Sequence, residues 1–349
     1  MIPELEKNQD KYPTLMKIYN FAKQNYFGLE NLTVMATISI MAGETLAVIG
    51  ISGTGKSTVT NIMSKVYQDQ ALPLGAITIN GLMKIKNKLT NTDKVILVDD
   101  LSVGATDYAQ VMTMMSIADL VYTHMITKYT QHLDLEIRGF YGSAVINLQP
   151  LLYRKILLAP EFDTDIRDKT LRYFHIVYPK QTNTIPPQAL NDLPRLRTNP
   201  HRGVDIETSH PYYKKTVENL RHEHSKARAE EHTQKLLRGI ALVENRQEAI
   251  DSDYKIIYYL TKNFRLETEI AEKKDLEGLR RMDINIIPIL TMINTFKKVK
   301  IDELCKIFQV KKKTIYDILA NLIDYVILVQ QKGIIIPTEY TLRLLKEIT

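Results

Sequence analysis

The chain has 349 residues, of which 44% are hydrophobic and 25% charged, so we predict two or three domains and exclude disordered, collagen-like and low-complexity proteins. One cysteine, Cys305, excludes an intramolecular disulfide framework and a multi-cysteine zinc module, and we expect a reducing, cytoplasmic environment. The formal charge of +6 is a weak indication of a polyanionic partner.

The amino-terminal segment predicts an amphipathic helix. Residues 1–17 carry charge from Glu4 onward and lack the apolar core of a secretory signal. Residues 11–26 place apolar side chains at helical spacing. No stretch of the chain approaches 18 apolar residues, so no membrane-spanning helix and no membrane partner are expected.

Strand-like and helix-like segments then alternate as far as about Pro179. We predict strands at 33–40, 45–50, 75–79, 94–99, 143–148 and 171–179. This alternation is typical of an α/β fold with a mostly parallel sheet flanked by helices.

Composition divides the chain further. We predict an amino-terminal helical segment (1–32), an α/β core (33–180), a proline-rich linker or excursion (181–211), a charged helical region (212–282) and a small C-terminal domain (283–349). In the helical region, His222, Glu223, His224 and His232 could form a metal site, but their spacing favours solvated helix surface.

The C-terminal domain combines three short helical patterns with a β-hairpin around residues 331–333. This order resembles a winged helix-turn-helix. The resemblance implies DNA contacts at the start of the recognition helix and at the hairpin tip, through Lys311, Lys312, Lys313, Thr314, Tyr316 and Lys332. Lysines without arginine favour phosphate contact over base readout, and the alternative is a protein-interaction or dimerisation module.

A phosphate-binding loop is the most specific motif. The segment 50–57 matches G-x-x-x-x-G-K-[ST] between an apolar strand and a helical pattern, where loop amides and a helix amino terminus converge on phosphate oxygens. Lys56 is expected at the β- and γ-phosphates and Ser57 at Mg²⁺. The predicted ATP-binding residues of the loop are Gly50, Ser52, Gly53, Thr54, Gly55, Lys56, Ser57 and Thr58.

Two carboxylates follow the apolar strand 95–98. Asp99 is predicted to hold Mg²⁺ together with Ser57, and Asp100 to activate the attacking water. The sequence therefore predicts ATP hydrolysis with ATP and Mg²⁺ as cofactors.

Two families resemble this core. Residues 41–63 and 75–81 are similar to the nucleotide-binding domain of ABC transporters. Only 49 positions separate Gly50 from Asp99, however, and no LSGGQ-like signature occurs, so we expect that resemblance to stop there.

The short spacing and the Asp-Asp pair are similar to AAA+ ATPases over residues 30–265. That resemblance implies that Asn147 orients the hydrolytic water. It also implies an arginine finger from Arg167 or Arg172, with Arg154 behind them, and a helical lid over 212–282 whose Arg238 reaches the γ-phosphate. A finger acting in trans implies a homo-oligomer with shared ATP sites.

The resulting expectation is an ATP-binding and ATP-hydrolysing, DNA-associated ATPase similar to archaeal and mobile-element replication initiators of the origin-recognition type. Its partners would be duplex DNA and copies of itself, with no small-molecule substrate besides nucleotide. Two alternatives stay open: an ATP-dependent DNA-binding regulator or signalling NTPase with little hydrolysis, and a P-loop kinase of a small molecule.

Overall fold

The structure is a computed structural model and divides into two units, residues 1–175 with 179–264 and residues 176–178 with 265–349. The predicted boundary before the C-terminal domain lies at 282/283, and the division between the units lies at 264/265. The structure describes residues 2–50, 53–101, 106–130, 133–157, 159–160, 162, 166–175, 180–181, 190, 192–199, 201–221 and 223–261, and the C-terminal segments 299–302, 305, 311–313, 316, 326–329 and 334–337.

Helices and strands alternate through the first unit. The helices of the described residues are α1 (Pro3–Lys7), α2 (Pro13–Asn25), α3 (Glu30–Ala42), α4 (Lys56–Tyr67), α5 (Ile79–Lys84), α6 (Lys86–Leu89), α7 (Asp107–Thr123), α8 (Pro150–Leu157), α9 (Pro211–Leu220), α10 (Lys226–Val243) and α11 (Asp251–Thr261). The strands of the first unit are β1 (Tyr26–Phe27), β2 (Thr45–Ile49), β3 (Ala71–Leu74), β4 (Val95–Val98), β5 (Met125–Thr130), β6 (Leu133–Arg138), β7 (Ser143–Leu148), β8 (Leu171–Phe174) and β9 (Lys180–Gln181).

A five-stranded parallel sheet forms the centre of this unit, with the order β3-β4-β7-β2-β8. Alternate residues of each strand point to opposite faces of the sheet, and helices pack on both faces. Leu46 and Val48 join the hydrophobic cluster formed with α2, α3, α4, α10 and α11. Ala47 and Ile49 join the cluster formed with α7 and α8. The α/β P-loop fold predicted from the sequence is confirmed.

The predicted strand at 33–40 is wrong, since these residues belong to α3. Every residue of α3 except Asn31 is buried, so the helix has no polar face to reveal a helical period. Gly43 ends the helix with a positive φ of 74°, a conformation that glycine adopts without steric cost.

The predicted strand at 75–79 is also wrong. Its place in the sheet belongs to β3, which pairs in parallel with β4. Pro73 argues against a strand in the sequence, but β3 lies at the sheet edge, where a missing N–H is tolerated. The Thr78 hydroxyl instead accepts from the N–H of Gly81 at 3.2 Å and caps α5.

Residues 192–199, within the predicted linker or excursion, pack on the core. Gln70 donates to the Thr198 hydroxyl at 2.9 Å and accepts from the Thr198 N–H at 2.8 Å. The side chain of Leu193 is buried.

The histidine-rich segment is buried, not solvated as expected. Glu223, His224 and His232 are each at most 5% exposed, and the two imidazole rings lie 4.7 Å apart. Burial holds the pKa of His224 well below its usual range. His222 lies outside the described residues.

An ion pair in this segment holds the start of β8. The Arg172 guanidinium is 2% exposed and donates to the Glu223 carboxylate at 3.0 Å and to its carbonyl at 3.0 Å. It also donates to the Arg167 carbonyl at 2.7 Å. The segment between α9 and α10 is thereby attached to the sheet.

The second unit contains a three-stranded antiparallel sheet. Its strands are β10 (Val299–Lys300), β11 (Val326–Val329) and β12 (Ile334–Pro337), in the order β10-β12-β11. The two strands predicted on either side of residues 331–333 are therefore present. The winged-helix assignment stays a prediction, because most of residues 285–325 lies outside the described part of the chain.

Within the described ranges, no helix has both the length and the apolar character that crossing a bilayer requires.

Replacing Glu223 by alanine leaves the buried Arg172 guanidinium without its carboxylate, so we expect the free energy of unfolding to fall by about 3–5 kcal/mol. Urea unfolding followed by circular dichroism measures the change. The double variant Arg172→Met/Glu223→Leu, which removes both charges, is the control and should lose less. A loss below about 1 kcal/mol for Glu223→Ala would mean that the pair contributes no more than an exposed one.

Candidate functional site

Three parallel strands bring the candidate site together. The phosphate loop follows β2, Asp99 and Asp100 follow β4, and Gln149 follows β7. Because the strands are parallel and adjacent, their carboxyl ends meet at one edge of the sheet, where open α/β sheets bind ligands. A cavity of about 490 Å³ lies at this edge, lined by Tyr26, Gly53, Gly55, Lys56, Ser57, Thr58, Asp99, Asp100, Asn147, Leu148 and Gln149.

The loop has the backbone that phosphate binding requires. Gly53 and Gly55 have positive φ angles of 83° and 82°, which only glycine adopts readily. The helix α4 begins at Lys56, so its amino-terminal N–H groups and the positive end of its dipole face the cavity lining. This arrangement favours a polyanionic ligand.

Lys56 is the cation of the site. Its Nζ donates to the Gly50 carbonyl at 2.5 Å. Burial lowers the pKa of Lys56, and the charges of Asp100 and Asp99 oppose that shift. Lys56 thus lies near both carboxylates. A lysine between bound phosphates and a metal site needs this position.

Asp99 fits a magnesium ligand. Its Oδ1 atom is buried and has no hydrogen-bond partner among the described residues, although a buried carboxylate oxygen without a partner is unfavourable. Mg²⁺ prefers oxygen ligands and is often held by one or two carboxylates together with substrate phosphates. Ser57 lines the same cavity and supplies a hydroxyl. No group of three metal-binding side chains occurs in the part of the chain that the structure describes.

Asp100 is oriented by a residue that the sequence did not single out. The Gln149 amide donates to Asp100 Oδ2 at 3.3 Å. Tyr26, 24 positions before Gly50, also lines the cavity and was missed. Gln149 follows β7 and Tyr26 begins β1, outside the parallel sheet, so only the tertiary structure links the two residues to the motifs.

Asn147 lies in the cavity wall, but its amide contacts the protein. Its Nδ2 donates to the Thr60 hydroxyl of α4 at 2.9 Å, and the side chain is 2% exposed. This contact joins β7 to the helix that follows the loop.

The arginines expected at the phosphates have partners elsewhere in the fold. Arg172 is buried in its ion pair with Glu223, so it is not available to a neighbouring subunit. Arg167 donates to the Glu223 carbonyl at 3.1 Å. Arg238 donates to the carbonyls of Arg202 and Asn199, at 3.1 and 3.2 Å, and does not line the cavity.

Four further predicted residues lie wholly or partly outside the described part of the chain. Ser52, Thr314 and Lys332 are outside the described residues, as is the side chain of Arg154. Thr54 is described and fully buried, and its carbonyl contacts His175.

The comparisons with known proteins point to the same core. Residues 35–134 match the family model described as ABC transporter. The ABC resemblance is therefore longer than we expected, since it covers both the phosphate loop and the carboxylates. The chain is also similar to the teichoic acids export ATP-binding protein TagH of Enterococcus faecalis, with 28% identity over 93 residues. That match covers 25% of this chain and 19% of the relative. The matched segment, which holds the phosphate loop and both carboxylates, is thus a P-loop ATPase domain, a class that uses ATP with Mg²⁺.

Asp99→Asn should remove the contribution of Mg²⁺ to ATP binding. The wild type should bind ATP more tightly with Mg²⁺ than with EDTA. We expect the ratio of these two affinities to be at least about tenfold smaller in the variant, because the amide lacks the anionic oxygen that a hard cation prefers. Titration with a fluorescent ATP analogue measures both affinities. Asp134→Asn, at an exposed residue of β6, is the matched control and should behave as the wild type. An Asp99→Asn protein with undiminished Mg²⁺ dependence would show that another residue holds the ion.

Proposed function

We propose that the chain hydrolyses MgATP with Asp100 as the base and couples this turnover to DNA. The cavity that gathers the phosphate loop, Asp99 and the Gln149-oriented Asp100 carries the proposal of hydrolysis. A cradle for phosphate alone needs no second carboxylate, whereas hydrolysis needs a group that takes the proton of water.

Each wall of the cavity has a separate task in this proposal. The loop amides and Lys56 bind the β- and γ-phosphates. The aromatic ring of Tyr26 offers a face on which adenine stacks. Ser57 and Asp99 hold Mg²⁺, which when bound neutralises charge on the phosphates.

Asp100 acts on the attacking water. The carboxylate accepts the water proton as the water oxygen bonds to the γ-phosphorus and the bond from that phosphorus to the ADP oxygen breaks. The amide of Gln149 fixes the orientation of the carboxylate. Lys56 balances the negative charge that the two aspartates and the triphosphate bring together.

Asp100→Asn should abolish turnover without abolishing binding. General base catalysis contributes about 10²–10⁴ in rate, so we expect kcat to fall at least about a hundredfold while the ATP affinity changes little. Phosphate release measures kcat, and binding of a fluorescent ATP analogue measures affinity. Retention of more than about a tenth of the wild-type kcat, with affinity unchanged, would assign the proton to another group.

Exposed lysines of the second unit support the choice of DNA. Lys311, Lys312 and Lys313 are exposed, and Tyr316 is 42% exposed beside them in the sequence. Lys312 is partly neutralised by Asp302, whose carboxylate lies 2.8 Å from its Nζ. Clustered lysines beside an exposed aromatic ring suit a phosphate backbone.

The second candidate is the ATPase of an exporter. The family match at 35–134 and the printed function of TagH, teichoic acids export, favour it. In that case ATP hydrolysis is coupled to a membrane component and not to DNA. A homo-oligomer with shared ATP sites also stays a prediction, and the surroundings of Arg167 and Arg172 do not support it.

The two candidates predict different stimulators. We expect duplex DNA to raise the ATPase rate, and Lys311→Ala/Lys312→Ala/Lys313→Ala to weaken DNA binding and reduce the salt slope by about 2–3, since each phosphate contact contributes about one. Fluorescence anisotropy across salt concentrations and phosphate release measure these effects.

The matched control is Lys84→Ala/Lys86→Ala/Lys88→Ala, which removes the same charge from α5 and α6. If it weakens DNA binding as strongly, the second unit is not the specific contact. Stimulation by anionic lipid vesicles and not by DNA would favour the exporter.

A further inference from the structure

The edge strand β8 ends against the phosphate loop. His175 follows the last residue of β8, and its N–H donates to the Ile49 carbonyl at 2.7 Å, which continues the ladder between β2 and β8. The residue is 4% exposed, and its Nε2 lies 2.9 Å from the Thr54 carbonyl oxygen. A buried histidine thus connects the sheet to the middle of the loop.

The direction of this hydrogen bond is fixed by chemistry. A carbonyl oxygen only accepts, so Nε2 carries the hydrogen and donates it. Thr54 lies between Gly53 and Gly55, the residues whose backbones turn most easily. His175 therefore holds a peptide group flanked by two glycines, whose backbones are intrinsically the least restricted.

The backbone of His175 is equally close to the start of the loop. A Cβ atom built on Gly50 would lie 2.6 Å from the His175 carbonyl oxygen, a distance that real Cβ atoms do not show. The absence of a side chain at Gly50 thus lets β8 approach the loop. The loop is restrained on this side at Gly50 and at Thr54.

We propose that His175 is a positioning residue for the triphosphate, and that its ring N–H holds the Thr54 carbonyl so that the loop amides point at the phosphates. This inference rests on the proposed function of the cavity. His175 does not itself line the cavity, so it acts through the loop. A loop already in its binding conformation loses less conformational entropy when the ligand binds.

Two amide variants separate this role from packing. In His175→Gln the amide nitrogen lies as many bonds from Cα as Nε2 does, so it can donate to Thr54. In His175→Asn the amide nitrogen is one bond closer and cannot reach. Both variants place a polar amide in the same buried position, so their melting temperatures should differ by no more than the loss of one hydrogen bond, about 2–4 °C.

The expected result is a difference confined to phosphate ligands. His175→Gln should bind ATP and ADP within about twofold of the wild type, and His175→Asn about five- to tenfold more weakly, the effect of one net hydrogen bond. Adenosine, which lacks phosphates, should bind all three proteins equally. Calorimetry for the nucleotides and saturation-transfer NMR for adenosine measure the affinities.

Two outcomes would overturn the proposal: ATP affinity of His175→Asn equal to that of the wild type, or adenosine affinity that falls in parallel with ATP affinity. The latter would mean that the substitution damages the fold. Failure of the proposed function is distinguishable, because the wild type itself would then release no phosphate from ATP.

Discussion

The site depends on the parallel alignment of β2, β4 and β7. Parallel strands with fixed register end together, so a loop, a carboxylate pair and an amide from distant parts of the sequence meet at one edge. Both faces of the sheet are buried, and a slip of one residue would exchange the side chains of the two hydrophobic clusters. The hydrophobic cores therefore fix the geometry of the polar site.

The helices α9, α10 and α11 support the sheet. They share one hydrophobic cluster with α3 and with the inner face of β2, and the segment before α10 holds Arg172 at the start of β8. The same short strand ends at His175 beside the phosphate loop. The strand β8 thus has a buried ion pair at its beginning and the phosphate loop at its end.

A cationic side chain, Lys56, lies in the site close to the carboxylates of Asp99 and Asp100. Burial disfavours the Lys56 cation, while Asp99 and Asp100 favour it. The orphaned oxygen of Asp99 marks where a second cation fits, and the amide of Gln149 restrains Asp100. Such a cavity suits a ligand that brings a metal ion and several negative charges together, as MgATP does.

The sequence by itself determined the phosphate loop, the strands β4 and β7 and the carboxylates, because local chemistry demands those residue types at fixed spacing. The pattern of α3 misleads because the helix is buried on nearly all sides and shows no helical period. The strand predicted at 75–79 is instead β3 at 71–74, which contains a proline and lies at the sheet edge. Tyr26, Gln149 and His175 were not recognisable as parts of the site, since no motif links them to the loop. Only the tertiary structure shows where these three residues lie. It also shows that Arg172, Arg167 and Arg238 form hydrogen bonds to other residues of the fold. The reason is physical: spacing along the chain sets local conformation, whereas sheet order and burial set which distant side chains meet.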